Sequence, residues 1–381
     1  MVGPIWAENR IEDECNNEDA VKKQKILVTG AAGFVGSHLV QEMKDRGYTD
    51  IRATDIRKPK DMPEGIEFVE SDVTNKASLE NVLEGCHGII HVADLFDFFA
   101  SWERLYAVNV EGTKNICEAA IENKVKRMVR FSSGSIYKVG MDCDEHSLLD
   151  PIDPYANSKI LGENVASNYN GNNGFNIALL RPAVIFGRGS MYGAARIFMT
   201  QALTAKLLGT KLLPGEGTFK GPYVHVDDVV GAALHIYETD KAFTNSRNPA
   251  DMAYNINADD AMSPRDIAEM ADVTVTKTWL AKLLQGHMPD IHVTRPLMEL
   301  VADACVLGVK GLRAVRVLKK NEKLRAMLEP KEVDFMFMKW HLTMDNSKIK
   351  SIGYEVKNRC DISMPETIRD YDQQGYHKLL M

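Results

Sequence analysis

The sequence predicts an α/β fold built on a doubly wound parallel sheet, with a smaller C-terminal substrate-binding lobe. Two observations carry this prediction. Apolar strand-like runs alternate with amphipathic helical patterns from residue 25 to about residue 182, and such alternation is typical of a parallel sheet covered by helices. The first strand-like run also leads directly into a glycine-rich turn and then a helix, which is how a dinucleotide-binding unit begins.

The glycine-rich turn lies within residues 25–40. Gly30 permits a tight turn, Gly33 lets the backbone approach a pyrophosphate, and Gly36 lets the helix pack closely on the sheet. The phosphates then rest at the helix N-terminus, where free NH groups and the helix dipole favour anions. The cofactor-binding residues predicted in this segment are Gly30, Gly33, Phe34, Val35 and Gly36.

The next strand-like runs supply residues for the adenosine half of the cofactor. Asp55 ends the second run, roughly 20 residues beyond the glycines, where a carboxylate accepts hydrogen bonds from the adenosine ribose. It favours NAD over NADP by repelling the extra phosphate, although Arg57 can partly offset that repulsion. The third run ends near Asp72 and Val73, and Asp72 either meets the adenine or caps the helix that follows. The small side chain of Ala93 ends the fourth run and leaves room for the cofactor.

A second motif is the pair Tyr155 and Lys159, which are four residues apart in a predicted helix. Residues at this spacing share one helix face, so the ammonium of Lys159 is expected to lie beside the phenol of Tyr155. A neighbouring cation lowers the pKa of a phenol from its usual value of roughly 10. Tyr155 can then exchange a proton with an alcohol. The pair gains weight from the glycine-rich turn that precedes it, because the two motifs together indicate nicotinamide chemistry.

Together these segments resemble the extended branch of the short-chain dehydrogenase/reductase family, from residue 25 to about residue 259. The resemblance implies that Tyr155 and Lys159 are catalytic and also bind NAD. It places the substrate-side hydroxyl at Ser133, where a preorganised donor stabilises charge on the reacting oxygen. Ser132 and Ser135 are the alternatives to Ser133.

The same resemblance assigns roles to four further residues. Asn109 lines the site from behind and orients water and Lys159, unless it is an ordinary helix-surface residue. Pro182 stiffens the turn after the sixth strand, and backbone groups near Val184 meet the nicotinamide carboxamide. His225 is expected to be structural or to line the substrate pocket, because the serine, tyrosine and lysine already cover proton transfer.

The chain divides into a tail, a sheet domain and a lobe. Residues 1–24 are acidic and polar and are expected to form a flexible tail. Residues 25–182 are the predicted NAD-binding domain. Residues 183–381 are mainly the substrate-binding lobe, from which residues 223–259 return to the sheet. Residues 277–340 are predicted to be a helical insertion.

Residues 296–320 of this insertion combine basic and apolar side chains. Charged residues interrupt the run, so it cannot span a bilayer as roughly 18 or more uncharged apolar residues would. It can lie on an anionic membrane surface as a peripheral contact. The alternative is a packed helix with a solvated basic face, which is the commoner case.

Composition limits the possible partners. A net charge of −7 over 381 residues gives no electrostatic reason to expect nucleic-acid binding. The six cysteines have neither metal-site nor redox-pair spacing, which indicates reduced thiols, no metal site and a cytoplasmic protein. The first residues lack the basic start and apolar run of a signal peptide. The resemblance adds the expectation of a homodimer.

The helical insertion makes the chain most similar to the 3β-hydroxysteroid dehydrogenase-like subgroup. The resemblance implies an NAD-dependent enzyme that interconverts a secondary alcohol and a ketone on a bulky apolar substrate, steroid-like or isoprenoid-like. One alternative is an NDP-sugar epimerase or dehydratase, in which Arg196, Lys206 and Lys211 meet a diphosphate. Another is a non-enzymatic protein that binds a dinucleotide as a sensor or scaffold.

Overall fold

The computed structural model describes residues 20–59, 61–79, 81–97, 100–190, 193–285, 289–293 and 341–374. Most of the predicted N-terminal tail and the whole of the predicted basic run 296–320 lie outside the described residues. None of the helices in the described part is both long and apolar enough to cross a bilayer.

The described strands form one large sheet and two small ones. In chain order they are β1 (Ile26–Thr29), β2 (Ile51–Asp55), β3 (Glu67–Glu70), β4 (Gly88–His91), β5 (Arg127–Phe131), β6 (Asn176–Pro182), β7 (Val184–Phe186), β8 (Leu212–Pro214), β9 (Tyr223–His225), β10 (Ala253–Ile256) and β11 (Ile291–Val293). The large sheet has the order β10-β6-β5-β4-β1-β2-β3, and every pair in it is parallel. The predicted doubly wound parallel sheet is therefore confirmed.

The helices cover this sheet and build the second lobe. They are α1 (Phe34–Asp45), α2 (Lys76–Leu79), α3 (Trp102–Tyr106), α4 (Gly112–Glu122), α5 (Pro154–Tyr169), α6 (Ala194–Leu208), α7 (Val226–Glu238), α8 (Pro249–Met252), α9 (Pro264–Thr274), α10 (Trp279–Leu284), α11 (Ser347–Ser351) and α12 (Cys360–Gln374). A π-helical turn, Ala107–Glu111, joins α3 to α4. Short 3-10 helices occupy Gly134–Ile136, Asn172–Gly174 and Asp240–Ala242.

The central strands β1, β4 and β5 are buried at almost every residue because both faces of the sheet are covered. In β1 every residue is buried, and alternate side chains enter opposite layers. Ile26 and Val28 join a core cluster that includes residues of α1 and α7. Leu27 joins a separate cluster that includes residues of α4 and α5. The carboxyl ends of the strands thus lie between two layers of helices.

The second lobe has its own apolar core. Side chains of α6, α9 and α12 meet around Phe186, Phe198 and Ile267. Two short parallel sheets belong to this region, one of β7 and β9 and the other of β8 and β11. The strand β11 corrects part of the prediction for residues 277–340, which were expected to be helical. Ile-His-Val has the β-branched residues that strands favour, and β8 offers it a partner in the folded chain.

Candidate active site

The glycine-rich turn after β1 forms a close cradle. Gly30 has a φ of +68°, and a Cβ built on it would lie only 2.8 Å from the backbone nitrogen of Ala93. A Cβ on Gly36 would lie 2.1 Å from the carbonyl oxygen of Gly30. Helix α1 begins after Gly33 with no side-chain cap, so its first NH groups are available to an anion. Phe34 and Val35 begin this helix.

The two acidic residues predicted near the adenosine lie in different environments. The Asp55 carboxylate accepts a hydrogen bond from the Ala32 NH at 3.0 Å, which holds it beside the glycine-rich turn. Asp72 is exposed, and its Oδ1 accepts hydrogen bonds from the NH and hydroxyl of Thr74 at 2.9 and 2.8 Å. These hydrogen bonds stabilise the turn before α2 and do not cap that helix, which begins at Lys76, so the contact of Asp72 with the adenine stays a prediction. Val73 beside it is buried.

Tyr155 lies in the first turn of α5. Asp153 caps this helix by accepting a hydrogen bond from the Ala156 NH at 2.8 Å, and Pro154 begins it. This start directs the buried phenol of Tyr155 toward the end of β5, where the Ser133 hydroxyl is close enough to lower the pKa of the phenol. The local sequence of α5 therefore positions the predicted proton carrier.

The structure separates the three candidate serines. Ser133 is the one whose hydroxyl lies close enough to lower the pKa of Tyr155. The Ser135 hydroxyl is 2.9 Å from that of Ser133 and supports it from behind. The Ser132 hydroxyl is buried and has no hydrogen-bond partner among the described residues. The geometry therefore agrees with the placement of the substrate-side hydroxyl at Ser133.

Lys159 does not lower the pKa of Tyr155 in the way the helical spacing predicts. Its Nζ lies 6.0 Å from the centre of the phenol ring and donates hydrogen bonds to the Asp94 carboxylate and to the Phe131 carbonyl. Burial and then the Asp94 charge raise the pKa of Tyr155, and the Ser133 hydrogen bond opposes them. The predicted lowering is wrong for this arrangement, because the cation faces a carboxylate that sequence reasoning missed.

Three charged groups meet under the site. Burial lowers the pKa of Lys159 to about 8, although Asp94 favours the ammonium, so Lys159 remains mostly charged at neutral pH. Burial raises the pKa of Asp94, but Lys159 and Arg130 more than offset it, and the net pKa is lowered. Arg130 is fully buried with Nη2 3.7 Å from Asp94 Oδ1. An acidic residue just beyond a buried strand, at the sheet edge where ligands bind, was the available signal for Asp94.

Asn109 has a different role from the predicted one. Its side chain accepts a hydrogen bond from the Leu95 NH at 2.7 Å and donates to the Leu95 carbonyl and the Ser158 hydroxyl. It therefore ties the loop after β4 to α5, and none of these hydrogen bonds involves Lys159. It is also fully buried, which excludes the helix-surface alternative. The π-helical turn around it is an irregularity that often accompanies functional sites.

Phe96 forms an aromatic wall beside the phenol, and sequence reasoning missed it. Its ring centre lies 5.0 Å from that of Tyr155, with an interplanar angle of 86°. Its side chain is 39% exposed, so part of the ring faces outward from the site. Gly193 lies near the same ring: a Cβ built on it would be 3.8 Å from the Phe96 ring and 3.9 Å from the Val184 side chain. The space near Tyr155 therefore has apolar boundaries.

These features coincide with a family pattern. The model of the family described as "NAD dependent epimerase/dehydratase family" matches residues 26–256, which is more than half of the chain. The chain belongs to the NAD-dependent epimerase/dehydratase family. This confirms the predicted membership in the extended short-chain dehydrogenases/reductases.

Curated relatives of this family member include several reductases and dehydrogenases. Cinnamoyl-CoA reductase 1 of Oryza sativa subsp. japonica is 30% identical over 252 residues, covering 60% of this chain and 72% of the relative. A 3-beta-hydroxysteroid dehydrogenase of Mycolicibacterium neoaurum is 28% identical over 363 residues, covering 91% of each chain. The mouse sterol-4-alpha-carboxylate 3-dehydrogenase (decarboxylating) is 33% identical over 175 residues, covering 44% of this chain and 48% of the relative.

Solved structures show the same fold. A dTDP-glucose 4,6-dehydratase from Streptomyces venezuelae, with NAD bound, has a TM-score of 0.69 at 20% identity, and the match covers 93% of this chain and 99% of that one. A UDP-glucose 4-epimerase from Thermotoga maritima has a TM-score of 0.67 at 20% identity, covering 92% and 99%. The family is NAD-dependent, which confirms the predicted cofactor, and NAD is bound in the dehydratase structure. The N-terminus of α1, which follows the glycine-rich turn and has no side-chain cap, fits the pyrophosphate of NAD.

Two further predicted residues, Pro182 and Val184, lie at the end of β6 and at the start of β7. Pro182 is buried at the end of β6. The Val184 NH already donates to the Pro222 carbonyl at 3.2 Å, so this NH is not free for a carboxamide. The predicted contact with the nicotinamide carboxamide must therefore come from other backbone groups near Val184.

His225 is the cap residue of α7. Its Nδ1 accepts a hydrogen bond from the Asp227 NH at 3.3 Å, and its ring packs against Phe186 with centres 5.3 Å apart. These contacts agree with the structural interpretation of this histidine.

Proposed function

We propose that this protein is an NAD-dependent oxidoreductase that interconverts a secondary alcohol and a ketone on a bulky apolar molecule of the steroid or isoprenoid class. The observation that carries the proposal is that the Ser133 hydroxyl and the Tyr155 phenol lie close together, with the centre of the Phe96 ring 5.0 Å from that of Tyr155. Two hydroxyls are thus placed to hold one oxygen atom, beside an aromatic surface that suits an apolar molecule. The full-length similarity to a 3-beta-hydroxysteroid dehydrogenase supports the same substrate class.

The reaction divides between the cofactor and the side chains. NAD, when bound, supplies the acceptor or donor of hydride. Ser133 donates a hydrogen bond to the reacting oxygen and stabilises the negative charge that develops there. Tyr155 takes the hydroxyl proton when the alcohol is oxidised and returns it when the ketone is reduced. Lys159 keeps a positive charge beneath the site.

The raised pKa of Tyr155 affects the two directions differently. Burial is the main cause, and the Asp94 charge adds to it. Tyr155 is therefore protonated at neutral pH and ready to give a proton to a ketone. Alcohol oxidation needs the phenolate and gains rate as the pH rises. We propose that ketone reduction needs no such rise in pH.

An NDP-sugar substrate is the alternative, and two ion pairs weaken it. Lys206 Nζ is 2.5 Å from an Asp372 carboxylate oxygen, and Lys211 Nζ is 3.4 Å from Glu269. These two candidate diphosphate ligands are therefore already paired with carboxylates. The side chain of Arg196 lies outside the described residues. The solved sugar enzymes are about 20% identical, so their likeness extends to the fold alone.

The test is a panel of hydroxysteroids, isoprenoid alcohols, UDP-sugars and dTDP-sugars incubated with the protein and NAD. NADH absorbance reports net oxidation, and chromatography of the sugars reports isomerised or dehydrated products. We expect NADH with an apolar alcohol, lost in Tyr155→Phe and retained in Tyr169→Phe, whose hydroxyl contacts Glu118 away from the site. Converted sugar without net NADH would replace the proposal with the epimerase or dehydratase activity. Unchanged cellular activity of Tyr155→Phe would favour a sensor or scaffold.

A further inference from the structure

Asp94 lies between the two halves of the cofactor site. It lies three residues beyond the end of β4, and the residue before it, Ala93, has its backbone nitrogen 2.8 Å from where a Cβ on Gly30 would stand. On its other side, the Asp94 carboxylate accepts a hydrogen bond from Lys159. Asp94 therefore connects the pyrophosphate cradle to the predicted proton-transfer residues.

One oxygen of this carboxylate lacks a donor. The Asp94 side chain is only 9% exposed, and its Oδ1 is buried without a hydrogen-bond partner among the described residues. Arg130 Nη2 is 3.7 Å away, too far for a hydrogen bond. The Arg130 guanidinium donates instead to Thr113, Phe131 and Asn109. A buried acceptor without a donor costs about 1–3 kcal/mol, and more when it is charged.

Both groups of the Lys159–Asp94 pair have hydrogen-bonding capacity in reserve. The carboxylate is ionised, because Lys159 and Arg130 outweigh the effect of burial on its pKa, and an ionised carboxylate only accepts hydrogen bonds. An ammonium has three N–H donors, and within the described part of the chain Lys159 donates to Asp94 and to the Phe131 carbonyl. An acceptor and a donor thus stand side by side.

We propose that Asp94 is a further cofactor-binding residue, whose carboxylate accepts a hydrogen bond from one hydroxyl of the nicotinamide ribose while Lys159 donates to the neighbouring hydroxyl. A vicinal diol presents a hydroxyl donor next to a hydroxyl acceptor, which complements an adjacent carboxylate and ammonium. The inference depends on NAD binding and not on the identity of the substrate.

A simpler role for Asp94 is that of counter-ion to Lys159 and Arg130. That role accounts for Oδ2, which accepts from Lys159, and gives Oδ1 a charge partner in Arg130 at 3.7 Å, but it supplies Oδ1 with no hydrogen-bond donor among the described residues. The two roles differ in what they predict for ligands. A counter-ion affects the stability of the fold and every ligand alike, whereas a ribose ligand affects only molecules that carry the second ribose.

The test compares Asp94→Asn with the unaltered protein for three ligands: NADH, ADP-ribose and ADP. ADP-ribose carries the second ribose without nicotinamide, and ADP lacks both. We expect Asp94→Asn to bind NADH and ADP-ribose about ten-fold more weakly, the cost of one charge-assisted hydrogen bond. ADP should bind within about two-fold of its original affinity. Asp240→Asn, which loses an exposed contact to Arg127, is the matched control and should change none of the three.

Affinities for NADH, ADP-ribose and ADP that are unchanged in Asp94→Asn would overturn the proposal. So would an equal loss for all three, because this would indicate the counter-ion role. If the variant does not fold, the unaltered protein decides the matter with NAD analogues that lack the 2′- or the 3′-hydroxyl of the nicotinamide ribose. At least one of them should bind about ten-fold more weakly than NAD, and equal binding of both would refute the role of Asp94. None of these measurements uses a substrate, so they stand or fall separately from the proposed reaction.

Discussion

The buried ion pair between Glu163 and Arg181 offers a sharp test of the energetics beneath the site. Each side chain is 1% exposed, and two parallel hydrogen bonds of 2.8 and 2.7 Å join the guanidinium to the carboxylate. The pair connects α5, which carries Tyr155, to β6. Glu163→Gln keeps the shape of the side chain but removes its charge, and one amide NH would then face a guanidinium NH.

The expected loss follows from what Arg181 retains. Removing one partner of a buried ion pair typically costs about 3–5 kcal/mol, because the other charge stays buried. Arg181 Nη1 still donates to the Tyr137 hydroxyl and the Glu145 carbonyl, both at 2.8 Å. We therefore expect the lower end, about 3 kcal/mol of the free energy of unfolding. An arginine guanidinium is effectively always protonated in proteins, so Arg181 remains charged in either protein at neutral pH.

The matched control is Glu42→Gln. Glu42 pairs with Arg46 one helical turn away at 2.7 Å, with side chains 40% and 28% exposed, and such pairs contribute about 0.3–0.5 kcal/mol. Urea unfolding followed by fluorescence and by circular dichroism measures both variants, and coincident transitions justify a two-state free energy. If the two variants lost the same free energy, the argument from burial would be refuted.

Three further predictions test the site. Gly36→Ala should destabilise the protein by about 3 kcal/mol or more and abolish NADH binding, because its Cβ meets backbone 2.1 Å away; Gly140→Ala, with no contact closer than 3.7 Å, should change neither in the same unfolding and binding assays. The difference between the absorbance titrations of the unaltered protein and of Tyr155→Phe should show the Tyr155 phenolate only above the usual pKa of about 10. Because the folded pKa of Tyr155 is raised, its contribution to stability is complete below that usual value and lost as the pH rises through the folded one; a phenolate near neutral pH would contradict this. Asn109→Ala should cost about 1–3 kcal/mol in urea unfolding by leaving the Leu95 NH unpaired, whereas an equal loss in Asn123→Ala would contradict a special role for Asn109.

The parts of the site that could be predicted from sequence are those made by neighbours in the chain. The glycines, α1 and Asp55 follow from one strand, turn and helix pattern, and the cap at Asp153 places Tyr155 in its helix. The doubly wound sheet followed from the alternation of strands and helices. Periodicity missed β11, because that strand depends on a partner 79 residues earlier in the chain, Ile291 on Leu212.

The sequence by itself therefore determined the fold class, the family and the cofactor, since each rests on local spacing and on apolar patterning. Only the tertiary structure decided which serine meets Tyr155, that Lys159 faces Asp94, and that Asn109 binds the loop after β4. These outcomes depend on contacts between residues far apart in sequence and on burial, which sets the balance between desolvation and charge attraction. Neither the contacts between distant residues nor the burial can be computed from spacing along the chain.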